Sequence, residues 1–288
     1  MQPGQPGTDH EYVSVVIRSP RCASGNPGTP HQDEASSRQT HRWPSNRYHT
    51  RSSMPAESSV PYVIPPANLP SLAVEGESGR FPIRRVFCVA RNYADHAREM
   101  GMDPEREPPF FFTKPADAVV CGGGPLPYPS RTRNLHHEVE LVLALGHGGR
   151  DIPAASALGC VYGYAVGLDL TRRDLQTEAR EKGRPWDTAK AFDRSAPASA
   201  IAKAARIGHP ERGRIALAVN GEIRQQGDLS EMIWKVPEIL AELSTLFELA
   251  PGDLVFTGTP AGVGPLVPGD RAVAEIEGVG RLVVSIAV

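Results

Sequence analysis

The chain has 288 residues, a formal net charge of −2 and 40% apolar residues, enough for one large domain or two small ones with a real core. Lysine and arginine are scattered among acids rather than clustered, so neither a polyanion-binding face nor a nucleic-acid partner is expected. The longest apolar runs, such as residues 159–170, are too short to span a bilayer, and no membrane helix is expected.

Residues 1–60 read differently from the rest. Pro, Gly, Ser, Thr, His and Arg dominate, and no lysine occurs before Met54. Such a segment buries too little apolar surface to offset its ordering entropy. It is expected to be a disordered extension, with residues 12–17 as one isolated candidate strand. The ordinary composition after Met54 offers an alternative: Met54 is the true start and residues 1–53 are mis-assigned. A basic start followed by a long apolar block, as in a secretory signal, is absent. The cysteines Cys22, Cys88, Cys121 and Cys160 form no C-x-x-C pair, which predicts reduced thiols in a cytoplasmic protein rather than zinc ligands.

From residue 61 onward the punctuation is that of a globular domain. Residues 86–90 predict a strand, and Asn92 suits the N-cap of a helix running to Met100, with Gly101 as its stop. Residues 110–113 predict another strand. Residues 138–145 (EVELVLAL) alternate and then turn wholly apolar, as a strand entering a core does, with residues 160–170 as its partner. Thr171 and Asp174 resemble a capping box that opens a helix to about Lys182. Residues 215–219, Asn220-Gly221 and 222–225 read as a tight hairpin. Ser230 is expected to cap an amphipathic stretch to Leu249, broken or kinked at Pro237. Short strands separated by glycine and proline complete the chain. Many strands and few helices predict a β-rich α+β domain over residues 61–288, not an alternating βαβ array.

The densest chemistry lies in His137-Glu138-Val139-Glu140. On a strand, Glu138 and Glu140 project from one face. Two carboxylates side by side at the mouth of an apolar strand are costly unless a cation neutralises them. Asp169, at the end of the next apolar strand, can supply a third oxygen. Three carboxylates without cysteine favour Mg²⁺ or Mn²⁺, with Ca²⁺ as a further option, over Zn²⁺. Taken by itself, a Glu-x-Glu spacing on a strand is more often a solvated edge than a metal site. His96 and Glu99 stand three apart on the expected helix, hence on one face, where the carboxylate can orient the imidazole as a base; an ordinary surface pair has the same spacing. No G-x-S-x-G elbow, Rossmann or P-loop fingerprint occurs.

The wording around these residues resembles the fumarylacetoacetate hydrolase family. The segments that carry the resemblance are ARNYADHAREMG at 90–101, FFTKP at 111–115, LHHEVELVLALG at 135–146 and GYAVGLDLTRRDLQ at 163–176. They continue with GRPWDTAKAFD at 183–193, NGEIRQ at 220–225 and PGDLVFTGTPAGVG at 251–264. Residues 81–118 look most like the members that hydrolyse fumarylpyruvate in gentisate breakdown. The resemblance implies a mixed β-sandwich roll with few helices, at least dimeric. It implies Glu138, Glu140 and Asp169 as metal ligands and His96 with Glu99 as the dyad that activates water. Lys190 would stabilise developing negative charge, Arg173 and Gln176 would contact the 2-oxo acid, and Thr259 its carboxylate. His136 is given a structural role. Arg91, Arg131 and Arg184 are candidates for a distal substrate carboxylate. Ala90 and Ala191 stand where the family usually has glycine, which raises the question of whether either position needs a positive φ. The implied reaction is hydrolysis of a 3-acylpyruvate such as fumarylpyruvate, a small 2-oxo acid. Decarboxylation of oxaloacetate or a related acid on the same site is the nearest alternative, and a metal-binding scaffold is the non-enzyme one.

Overall fold

The computed structural model describes residues 62–99 and 108–288. The expected N-terminal extension with its strand at 12–17, Cys22, and the helix stop at Gly101 lie outside the described residues.

The fold is built on one large mixed sheet. Its spine is Val139–Leu145, hydrogen-bonded on one side to Val161–Leu168 and on the other to Asp253–Phe256, both antiparallel. Arg85–Ala90 runs parallel to Asp253–Phe256, with Phe110–Lys114 beyond it. Ala196–Ala198 and Val119–Cys121 extend the other edge. All seven residues of Val139–Leu145 are buried, because both faces of the sheet are covered. Val139, Leu141, Leu143 and Leu145 enter the core cluster that also holds helix Val236–Leu246 and much of a five-stranded sheet. Val142 and Ala144 enter the opposite cluster, with Leu72, Ile83 and Phe256. A strand covered on both faces loses its polar alternation, which is why this segment is wholly apolar after Glu140.

The five-stranded sheet is ordered Glu222–Asp228, Arg214–Val219, Arg271–Ile276, Gly280–Ile286, Gly124–Leu126. Its first pair is the expected hairpin, with Asn220 and Gly221 both at positive φ (52° and 89°), as a turn matched to strand twist requires. A separate three-stranded sheet is ordered Thr171–Arg172, Leu135–His137, Gly264–Leu266. The architecture is therefore β-rich α+β with few helices. Among the described residues, no helix is long and apolar enough to cross a membrane, and Cys88, Cys121 and Cys160 are free thiols.

Four local expectations are corrected, the first three because a long-range partner outcompetes a local one and the last because a nearer cap takes Ser230. The strand expected over 138–145 is interrupted at Glu138, so that Leu135–His137 pairs in the small sheet and Val139–Leu145 in the large one. Asn92 does not cap a helix, which starts at Ala94. It is buried, donates to the carbonyls of Trp234 (3.0 Å) and Thr257 (2.8 Å), and accepts from Trp234 N (2.7 Å). Thr171 and Asp174 form no capping box; helix Arg173–Glu181 begins without a side-chain cap, while Asp174 binds Thr132 Oγ1 and Arg133 N. Ser230 belongs to a separate 3-10 turn capped by Asp228, and Pro237 lies in the first turn of helix Val236–Leu246, where a missing N–H is harmless.

Candidate active site

Antiparallel register brings the carboxylates together. Val139 pairs with Leu168, and Asp169 N donates to Glu138 O at 2.9 Å, so the residue before one strand meets the residue after the next. Ligand-type oxygens of Glu138, Glu140 and Asp169 all lie within 4.8 Å of one another, and all three residues are buried. Glu140 accepts from Gly258 N at 2.8 Å. Burial, then the neighbouring Asp169 and Glu138, push its carboxyl well above the usual carboxylate range. Burial also works against charge on Glu138, but Lys190 and Arg173 outweigh it and hold that carboxyl below the usual range.

Lys190, at the end of the short helix Asp187–Lys190, points its Nζ into the cluster. It lies 2.8 Å from Glu138 Oε2, 2.6 Å from Asp169 Oδ2 and 2.7 Å from Thr171 Oγ1. Burial disfavours its charge, yet the two carboxylates raise its pKa above the ordinary lysine value. Arg173 pairs with Glu138 Oε1 and donates to Gln176 Oε1, placing the two expected substrate contacts on one helix face. His136 accepts from Arg173 Nε at 3.3 Å and meets Asn134 Oδ1 at 2.9 Å. Burial and then Arg173 push its pKa down to about 4, so it serves as a neutral prop.

His96 Nδ1 lies 3.3 Å from Glu99 Oε2, and Gly262 N donates to both Glu99 oxygens. With Nδ1 turned to the carboxylate, Nε2 is the nitrogen left for a substrate or water. Thr259 is buried beside the cluster, its Oγ1 accepting from Gln225 Nε2 at 2.8 Å.

These side chains converge on one cleft of about 570 Å³ open to solvent, lined by His96, Glu138, Glu140, Asp169, Arg173, Gln176, Lys190 and Thr259. Glu99 reaches it through His96. Of the three arginines considered for a distal carboxylate, Arg91 lines the cleft; Arg131 and Arg184 do not. Neither Ala90 nor Ala191 adopts a positive φ: Ala191 has φ −105°, and it is Arg91, one residue on, that has φ 60°. The two alanines therefore strain nothing.

Several residues in or behind the cleft wall are not among the expected ones. Lys114 is fully enclosed, its Nζ 2.8 Å from Asp169 Oδ1 and donating to the carbonyls of Leu170 (3.3 Å) and Lys190. In the sequence it shows only as a lysine closing a strand, which an exposed strand end shows equally. The Thr171 hydroxyl binds Lys190 and Glu138. Buried Gln225 accepts from His137 Nδ1 and Val139 N and donates to Thr259 and Pro260 O. Thr177 and Arg180 continue the stripe begun by Arg173 and Gln176 into the cleft.

The donor set fits a hard divalent cation. It is all oxygen and buried, and Asp169 Oδ1 receives no hydrogen bond, since Lys114 Nζ stands near it but off the hydrogen-bonding direction. Lys114 offsets the charge of that oxygen but leaves a lone pair without a partner, and a coordinated cation would fill it.

Residues 85–287 match the family described as fumarylacetoacetate (FAA) hydrolase C-terminal. The chain is 54% identical to a solved fumarylpyruvate hydrolase from Pseudomonas aeruginosa in complex with Mn²⁺ and pyruvate, covering 79% of this chain and 100% of that one with a TM-score of 0.77. It is 46% identical over 181 residues to a fumarylpyruvate hydrolase of Ralstonia sp., covering 63% of this chain and 94% of the relative. It is also 46% identical over 196 residues to the mitochondrial oxaloacetate tautomerase FAHD1 of Mus musculus, covering 68% of this chain and 88% of the relative.

Proposed function

The chain belongs to the fumarylacetoacetate hydrolase family, and from that premise we propose that it hydrolyses the carbon–carbon bond of a 3-acylpyruvate. The substrate this reading puts first is fumarylpyruvate, which with water gives fumarate and pyruvate. The observation that carries it is the meeting, in one cleft, of three buried carboxylates, Lys190 and a His96–Glu99 pair. Similarity to fumarylpyruvate hydrolases at 46% and 54% identity supports the same reaction. Residues 61–288 are the catalytic unit in this reading.

A divalent ion, Mn²⁺ or Mg²⁺, held by Glu138, Glu140 and Asp169, would supply Lewis-acid polarisation and a template for the pyruvoyl end. Arg173, Gln176 and Thr259 orient that end. Glu99 fixes the His96 tautomer so that Nε2 takes a proton from water. The water oxygen bonds to the acyl carbonyl carbon, the bond from that carbon to C3 of the pyruvoyl half breaks, and the electron pair leaves as pyruvate enolate. Lys190 Nζ, already raised in basicity by two carboxylates, offsets the enolate charge. His96 releases the proton it took, C3 of the enolate takes one up to complete pyruvate, and the acyl half, formed as a carboxylic acid, leaves as a carboxylate with its proton passing to solvent.

Oxaloacetate chemistry on the same cleft is the second reading. The 46% identity to an oxaloacetate tautomerase favours enol–keto proton transfer, while decarboxylation needs no attacking water and leaves the His96–Glu99 pair unused. Steady-state assays with Mn²⁺ on fumarylpyruvate, acetylpyruvate and oxaloacetate separate them. Fumarylpyruvate should give the highest kcat/KM, with fumarate and pyruvate in equal amounts; turnover of oxaloacetate alone refutes the hydrolase reading. A cytoplasmic setting and assembly as a homodimer or larger homo-oligomer belong to the same reading, and light scattering on the purified protein checks the latter.

A further inference from the structure

We propose that Arg91 and Arg180 form an anion subsite at the mouth of the cleft, selecting acylpyruvates whose acyl half ends in a carboxylate. This rests on the acylpyruvate reading above and gives that reading its substrate class.

Helix Arg173–Glu181 lines the cleft with Arg173, Gln176, Thr177 and Arg180, the i, i+3, i+4, i+7 stripe of one helix face. Arg173 and Gln176 are buried beside Glu138, whereas Thr177 and Arg180 are exposed. The helix therefore runs outward from the carboxylate cluster. Seven residues of rise place the Arg180 backbone about 10 Å further along the axis than Arg173, and its side chain leans back toward the helix N-terminus. A seven-carbon diacid, extended over six bonds of about 1.5 Å each, spans about 7–8 Å between its carboxyl carbons. A diacid whose pyruvoyl end sits at the cluster thus ends within reach of Arg180. A five-carbon acid without a distal carboxylate stops short.

Arg91 stands in the same cleft and is independently unusual. Its φ of 60° places a non-glycine residue in the left-handed region, which L side chains adopt only at a cost. The neighbouring residue imposes this conformation, because Asn92 is locked to Trp234 and Thr257 by three hydrogen bonds. Strain held in place by its surroundings at a cleft-lining residue points to a functional constraint.

The two guanidinium groups share one further property. Among the described residues, neither makes a hydrogen bond or ion pair, whereas the other cleft cations, Arg173 and Lys190, are both tied to Glu138. Glu178, on the same helix as Arg180, is engaged by Lys182 and Arg184 instead. Formally, Arg91, Arg173, Arg180 and Lys190 outnumber Glu138, Glu140 and Asp169 in the cleft, although the chain as a whole is net −2. A locally positive cleft on a slightly acidic protein concentrates anionic ligands. Phe112 and Trp186, packed edge to face at 6.1 Å, give the passage flat walls that suit a planar acyl chain.

The test is a selectivity ratio, measured on the Mn²⁺-loaded full chain. For Arg180→Ala, Arg91→Ala and the double variant, kcat/KM for fumarylpyruvate is divided by kcat/KM for acetylpyruvate. The ratio should fall about tenfold or more in each single variant, the loss expected for about 1.4 kcal/mol of carboxylate binding, and further in the double variant. Arg180→Lys should restore part of it. Calorimetric affinities for 2-oxoadipate relative to oxalate provide a turnover-free version and should shift in the same direction. Double-variant ratios within twofold of the unmodified protein on both measures overturn the subsite. If the unmodified protein turns over neither acylpyruvate, the hydrolase reading fails, and the binding ratio alone decides on the arginines.

Discussion

Replacing Lys114 by methionine removes a positive charge that the fold encloses completely, side-chain exposure being 0% for Lys114 and 1% for Asp169. Lys114 Nζ stands 2.8 Å from Asp169 Oδ1 and donates to the carbonyls of Leu170 and Lys190. Removing one partner of a buried ion pair costs about 3–5 kcal/mol, and the lost charge-assisted hydrogen bonds are part of that figure rather than additional to it. Mn²⁺ should reverse part of the loss, since Lys114 repels any cation bound by Asp169. Mn²⁺ carries two charges, so an ammonium about 4 Å from it costs about 2 kcal/mol at the dielectric of water and about 8 kcal/mol at that of a protein surface, and Mn²⁺ should bind the variant at least about tenfold more tightly. At Mn²⁺ about 100 times the unmodified Kd, binding stabilises the unmodified protein by about 2.7 kcal/mol and the variant by about 4.1 kcal/mol. Urea unfolding of both proteins with and without Mn²⁺ measures all four quantities. A metal-free loss under about 1 kcal/mol, or a Mn²⁺ increment no larger in the variant, refutes the argument.

Two further substitutions probe the dyad and the turn that supports the carboxylates. His96→Ala should lower kcat for hydrolysis by about 10²–10⁴-fold while leaving Mn²⁺ affinity within about twofold, and Glu99→Gln should cost less because it only orients the ring. Equal losses of kcat and Mn²⁺ affinity in His96→Ala would count against the base assignment. Gly258→Ala should destabilise by about 2–4 kcal/mol and weaken Mn²⁺ binding, combining strain with overpacking. Gly258 has φ 93°, an added Cβ would stand 2.7 Å from Asn92 Cβ, and the N–H that would shift is the one bonded to Glu140. Urea titration and Mn²⁺ calorimetry report the two effects, and an unchanged midpoint would show that the turn is not constrained as described.

Those parts of the fold that depend on burial were legible in the sequence. Residues 141–145 are apolar because both sheet faces are covered, and Asn220-Gly221 announces its hairpin through the φ values it needs. The carboxylate cluster was half legible. Alternation put Glu138 and Glu140 together, but the strand breaks at Glu138, and the wider family wording was needed to choose a metal site over a solvated edge. Residues whose partners are remote in sequence were misread or missed. Asn92 and Thr171 have good local capping chemistry, yet Asn92 binds main-chain groups up to 165 residues away, and Thr171 binds Lys190 and Glu138. Lys114 meets Leu170 and Lys190 across 56 and 76 residues. Nothing in a local window distinguishes such a lysine from one at a strand's exposed end.

The claim on which everything else depends is that Glu138, Glu140 and Asp169 hold one divalent ion. A crystal soaked with Mn²⁺ and oxalate, measured with anomalous scattering at the manganese edge, tests it directly. The predicted result is a single strong peak within coordination distance of an oxygen from each of the three carboxylates, with oxalate between the ion and Arg173. A peak elsewhere, or none in the cleft at saturating Mn²⁺, contradicts the account.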